Sequence, residues 1–137
     1  AIMGRLMRIA KHMECRVADL HKKYDLKMGE FDVLATLRRA GSPYCLTPSA
    51  LIDSMMLTSG AMTNRLDKLE KKGFITRTHS KEDRRSVTVE LTEKGLTLID
   101  KLILEHVDVQ QSLLHGLEGS EKVQVNQALR LLLPLFE

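Results

Sequence analysis

Residues 58–95 read TSGAMTNRLDKLEKKGFITRTHSKEDRRSVTVELTEKG, and two periodicities meet inside them. Met62, Leu66, Leu69 and Gly73 recur at spacings of four, three and four, which is one apolar stripe on a helix. Thr58 or Ser59 is placed to cap its start, and Gly73 stands where a helix stops by turning left-handed. The opposite face carries Ser59, Gly60, Thr63 and Asn64 in the first turns, then Asp67, Lys68 and Lys71. Beyond Gly73 the pattern alternates. Phe74–Arg77 and Val87–Leu91 read as two half-buried strands around a charged tip, His79 to Arg85. A helix followed by such a hairpin is a winged helix.

Charge is concentrated in the same place. Between Thr58 and Ser86 there are eight basic and four acidic residues, a local net of +4. The whole chain is only +3, so the remainder is slightly acidic at −1. A localised cationic surface is the footprint expected of a phosphate-binding face.

The elements outside this stretch extend the pattern. Ile2, Leu6, Ile9, Met13, Val17 and Leu20 form a stripe on a long helix predicted from Ile2 to about Tyr24. A second helix is predicted over about Met28 to Arg39, with Phe31, Leu34, Ala35 and Leu37 inward, before the stop at Gly41-Ser42-Pro43. Tyr44-Cys45-Leu46 supplies a short third strand. Thr47 caps the next helix, with Pro48 in its first position, where the missing N–H costs nothing. Leu51, Ile52 and Met55 face inward, and Met56-Leu57 makes the turn into the helix opened by Thr58. Two short helices joined this way form a helix-turn-helix, and the second is the reader.

Thr92 opens a helix predicted to about His115, with Leu96, Ile99, Ile103 and Val107 on one face. A last helix is expected from Ser120, apolar over more than half its circumference at its end and stopped near Pro134. Both chain ends therefore present more apolar surface than a monomer covers, which predicts a homodimer. The expected fold is mainly α, with a winged helix-turn-helix lobe over about 28–92. Helices over about 1–24 and 96–137 form a dimerisation lobe, all within a single domain, 1–137. Because the pattern is already helical at Ala1, further residues upstream are expected.

The run from Asp83 through Arg84, Arg85 and Val87 to Leu91-Thr92-Glu93-Lys94-Gly95 resembles the wing signature of the MarR family of bacterial and archaeal transcriptional regulators. SGAMTNRLDKLEKKGFITR resembles that family's recognition helix and first wing strand, and the resemblance extends over nearly the whole chain. It implies a homodimer on double-stranded operator DNA. Helix N-terminal residues with small side chains approach base edges closely. The predicted DNA surface is Ser59, Gly60, Ala61, Thr63, Asn64, Arg65 and Lys68, with Thr47 and Ser49 from the preceding helix. Lys81 and Arg84 are expected on phosphate. The resemblance implies that Arg85 enters the minor groove and that Asp83 shapes the wing.

Arg65 and Arg77 keep several readings open: phosphate binding, a carboxylate partner within the lobe, or an anion pocket. The last comes from resemblance to the family's urate-responsive branch, whose two arginines and aspartate match Asp32, Arg65 and Arg77 in position. That branch's tryptophan has no counterpart here. The implied effector is a small anionic or phenolic molecule. The competing class is a winged helix used as a protein-interaction module without DNA contact.

Other chemistry finds no support. There is no glycine-rich phosphate loop, nucleophile elbow or HExxH, so no catalytic residue, cofactor or metal site is expected. Cys15 and Cys45 have no metal spacing and are expected to be inert, with Cys15 buried. The five histidines (12, 21, 79, 106 and 115) are expected in solvated or capping roles, and Met55, Met56 and Met62 in the core. No apolar run reaches the ~20 residues that span a bilayer, so no membrane partner is expected and the cytoplasm is the predicted location.

Overall fold

The computed structural model describes residues 1–79, 82 and 86–137. The element order is α1 (Ile2–Lys22), α2 (Met28–Arg39), β1 (Cys45–Leu46), α3 (Pro48–Met55), α4 (Ser59–Lys71), β2 (Ile75–His79), β3 (Val87–Leu91), α5 (Glu93–Leu113) and α6 (Gly119–Leu132). A 3-10 turn over Leu133–Leu135 follows, where Pro134 stops the helix. The three strands form one antiparallel sheet in the order β1-β3-β2, with Arg77 opposite Val89 and Leu46 pairing with Val89 from the other side. This is a mainly α winged-helix fold.

Sequence chemistry sets the boundaries. The Thr47 hydroxyl accepts from the Ala50 N–H at 3.2 Å, and Thr58 accepts from Ala61 at the same distance. Each satisfies an N–H that the first turn of its helix leaves without an intrahelical partner. Gly73 takes φ +83°, and the Phe74 N–H reaches back to the Leu69 carbonyl, closing α4 as its glycine predicts. The Thr92 hydroxyl both accepts from the Gly95 N–H (3.0 Å) and donates to the Gly73 carbonyl (2.7 Å). One threonine thus caps α5 and ties its start to the end of α4. Gly95 lies against the Phe74 carbonyl, where a Cβ would stand 2.0 Å from the oxygen.

The core gathers where α2, α4, α5 and the sheet meet. Leu34, Leu37, Leu51, Met62, Leu66, Leu69, Val89, Ile99 and Leu102 are buried there. At roughly 1.5–3 kcal/mol for each fully buried aliphatic side chain, this set holds the recognition helix against its support. An ion pair reinforces the seam. Lys72 Nζ lies 2.8 Å from the buried Glu30 carboxylate and also donates to the Asp25 carbonyl. Glu30 in turn accepts from the Lys27 N–H at the start of α2.

Several expectations are corrected. The α1 stripe, for which the sequence left core and partner packing open, buries only Val17 and Leu20, because the first four turns extend beyond the core. On α5 burial falls on Ile99 and Leu102, and Val107 is exposed for the same reason. The last helix starts at Gly119, one residue before the expected Ser120, with Glu118 and Glu121 forming a capping box at its start. Met56 is 93% exposed at φ 54°, a left-handed turn residue and not a core one. Cys15 is exposed on α1, and Cys45 is half-buried in β1. His21 is buried, stacked on Phe31 with ring centroids 4.3 Å apart, and Phe31 stacks in turn on His106 at 4.7 Å. The two imidazoles also meet, with ring centroids 5.5 Å apart, so the three rings form one packed cluster in place of the expected solvated or capping roles of His21 and His106.

Candidate nucleic-acid interface

The exposed face of α4 follows directly from what its other face buries. With Met62, Leu66 and Leu69 inward, Ser59, Gly60, Thr63 and Asn64 turn outward, and all four are exposed. Ala61 is half-buried. The Thr63 hydroxyl donates to the Ser59 carbonyl at 2.9 Å, leaving its oxygen free to accept. A Cβ at Gly60 would meet nothing within 4 Å, so this surface is open to close approach. The positive end of the helix dipole opens on the same side. Thr47 and Ser49, at the start of α3, are exposed as well.

Arg65 and Lys68 stand at the edge of this face, both half-buried. With Asn64 and Ala61 they line a groove whose other wall is Lys27, Met28, Gly29 and Glu30 at the start of α2. The absent side chain of Gly29 makes room for Arg65: a Cβ there would lie 2.4 Å from the guanidinium carbon. Lys81, Asp83, Arg84 and Arg85, the predicted wing tip, lie outside the described residues.

The three predicted anion-pocket residues part company. Asp32 and Arg65 line one cleft together with Thr36, Arg39, Ser54, Met55 and Leu57. Arg77 is not among them. Its guanidinium lies 2.7 Å from Asp67 and 3.0 Å from Glu70, both on the outer face of α4. These hydrogen bonds hold the Glu70 carboxyl below its ordinary range. Burial pushes Asp32 above the usual carboxylate value, partly offset by the nearby Arg65, His106 and Arg39. Arg39 escaped the sequence reading, although Asp32, Thr36 and Arg39 follow one face of α2 at spacings of four and three.

Comparison with known proteins fits this geometry. Residues 26–87 match the sequence profile of the MarR family. The chain is 36% identical over 128 residues to the HTH-type transcriptional regulator PecS of Dickeya dadantii, covering 93% of this chain and 77% of PecS. It belongs to the MarR family. It is also 34% identical to the regulator PrsX of Escherichia coli, over 75% of this chain and 61% of PrsX. Among solved structures, the E. coli MarR variant C80S complexed with operator DNA superposes with a TM-score of 0.80 at 28% identity. That match covers 98% of this chain and 95% of the other. These MarR-family relatives are transcriptional regulators, not enzymes. Among the described residues no helix is long and apolar enough to cross a membrane.

Proposed function

We propose that this MarR-family chain acts in the cytoplasm as a homodimeric repressor that binds a palindromic operator and is released by a small anionic effector. The observation that carries the reading is the outward face of α4, where short polar side chains surround an open helix N-terminus backed by a rigid apolar core. Each protomer lays α4 in a major groove, with Asn64, Ser59 and Thr63 toward base edges. Arg65, Lys68, Thr47 and Ser49 approach the backbone. Arg85 at the wing tip enters the flanking minor groove, whose narrow negative channel attracts a guanidinium. The operator-bound structure of E. coli MarR supports this arrangement by analogy.

Two-fold symmetry requires an interface, and the chain ends supply the surface for it. No residue of α6 is buried, and Val125, Leu129, Leu131, Leu133 and Phe136 are all exposed. An apolar cavity of about 420 Å³ lies between Leu6 of α1 and Leu129, Leu132, Leu133 and Phe136. Surface of this kind is covered by a second copy, so residues about 1–24 and 96–137 form the dimerisation lobe. Half-sites then lie about one helical turn apart, roughly 10 base pairs.

Arg85→Ala tests the reading. It should weaken operator binding by about tenfold or more while the dimer and its thermal unfolding stay unchanged. Unchanged DNA affinity in a folded Arg85→Ala dimer would remove the wing from the interface. Absence of selective DNA binding by the parent chain would move the fold to the protein-interaction class.

A further inference from the structure

Away from the reading lobe, positive charge gathers a second time. Residues 1–23 hold six basic and two acidic residues, a net of +4, equal to that of the segment from Thr58 to Ser86. The rest of the chain, with seven basic and twelve acidic residues, stands at −5. The cations of α1 fall on one side of the helix. Arg5, Arg8, His12 and Arg16 recur at spacings of three, four and four, which is one row, and Lys11 and Lys22 flank it. All six are exposed. Among the described residues, none of their Arg and Lys side chains pairs with a carboxylate. Asp19 shares that side of α1, and Glu14 does not.

We propose that this face of α1 binds the phosphate backbone of a second DNA duplex, so that one dimer holds an operator on its α4 helices and a further duplex segment on its α1 helices. The proposal rests on the operator-binding reading and adds a second nucleic-acid surface to it. From Arg5 to Arg16 the row runs about 16 Å, at roughly 1.5 Å per residue. A duplex carries one phosphate charge per ~1.7 Å of its axis, so each cation in such a row meets a phosphate with no base read. Three of the cations are guanidiniums, whose paired planar donors match phosphate oxygens. Their summed field is weakened by Asp19 but keeps its sign.

Packing makes this a surface of its own. Helix α1 rests chiefly on α2 and α5, whereas α4 rests on α2, α3 and β2. The other side of α1 is already committed. Val17 and Leu20 are buried in the core, and Leu6 lines the apolar cavity with Leu129 and Phe136. Ile2, Ile9 and Met13 belong to the surface assigned to pairing. A helix that lies in a lipid surface buries its apolar side there, commonly with Trp or Phe. Helix α1 has no aromatic residue of that kind, and its apolar side is taken. What the dimer leaves to solvent is the cationic row, which suits a phosphate backbone and not a bilayer.

A bridging assay on the intact dimer tests this. Duplex from the region flanking the protein's own gene is immobilised, the dimer is bound to it, and recovery of a labelled duplex of unrelated sequence is measured at two salt concentrations. The parent should recover the second duplex, and less of it at high salt. Arg5→Gln, Arg8→Gln and Arg16→Gln combined, at exposed positions where Gln keeps the helix, should cut recovery by about tenfold or more. Affinity for the immobilised duplex should stay within about twofold. Equal recovery by the triple variant would overturn the proposal. So would a matching loss of affinity for the immobilised duplex, which would place α1 on the operator itself. Flotation with phosphatidylglycerol–phosphatidylcholine vesicles covers the lipid alternative: capture of the parent but not the triple variant, with no second duplex recovered, would assign the face to a membrane. A parent that holds operator and no second duplex would overturn the proposal and leave the operator reading standing. A parent that holds no operator would bring down both.

Discussion

Protonating His21 would place a charge in the core, against Phe31 and beside a second imidazole. The ring is fully buried, its Nδ1 has no partner among the described residues, and its Nε2 lies 3.3 Å from His106 Nδ1. Burial, then repulsion from His106, lowers its pKa from 6.5 to about 4. His106 is also lowered by burial, with Asp32 behind it pulling the other way. An unfolded chain therefore takes up a proton below about pH 6.5 that the native state refuses until about pH 4. Stability is fully present above that window and falls through it, by about 2 kcal/mol on reaching roughly pH 5. Urea unfolding of the parent chain and of His21→Phe at about pH 7.5 and pH 5 checks this. The variant keeps the stack and should lose markedly less stability on acidification; equal losses would place the acid sensitivity elsewhere. The sequence concealed this feature, because a histidine in an amphipathic helix looks the same whether its neighbour across the core is solvent or a phenyl ring.

At the scale of elements, the junction between the wing and α5 is the most constrained point. Thr92 and Gly95 seal it, and a Cβ at Gly95 would stand 2.0 Å from the Phe74 carbonyl oxygen, which leaves no room for a side chain there. Gly95→Ala must push α5 away from the wing base, at a cost of about 1–3 kcal/mol, which chemical denaturation would measure. Wild-type stability in that variant would mean the contact relaxes freely. The Thr92 cap was legible in the sequence, as were the Thr47 and Thr58 caps and the stop at Gly73, since local chemistry dictates them. The tie of Thr92 to Gly73 and the approach of Gly95 to Phe74 were not, because the fold brings those partners together. Nor were the limits of burial along α1 and α5. An apolar stripe reads the same whether it faces its own core or projects beyond it, so the sequence left open how far Ile2, Ile9 and Val107 enter the core. Arg39 was missed for a related reason. A basic residue in the last turn of a helix already has an ordinary role there, and only the approach of α3 and α4 turns it toward a shared cleft.

For the whole molecule, the arrangement separates two surfaces of opposite character. The polar and cationic face of α4 sits at one end, on a lobe held by the Leu34, Leu51 and Leu69 core. The apolar surface of α1 and α6 forms the other, and its exposure in a single protomer is the physical argument for pairing. Helix α2 contributes Asp32 to the polar cleft and Phe31 to the ring cluster that it shares with His21 of α1 and His106 of α5. That helix packs against α1, α3, α4 and α5.

The central claim is selective, electrostatically driven binding of duplex DNA by a two-fold dimer. Its most direct test is an anisotropy titration of labelled DNA from the region flanking the protein's own gene, against scrambled DNA of equal length, at two salt concentrations. The account predicts two chains per palindromic site and selectivity over the scrambled duplex. Affinity should fall steeply with salt, as counterion release demands. Equal affinity for both duplexes, or binding indifferent to salt, would contradict it.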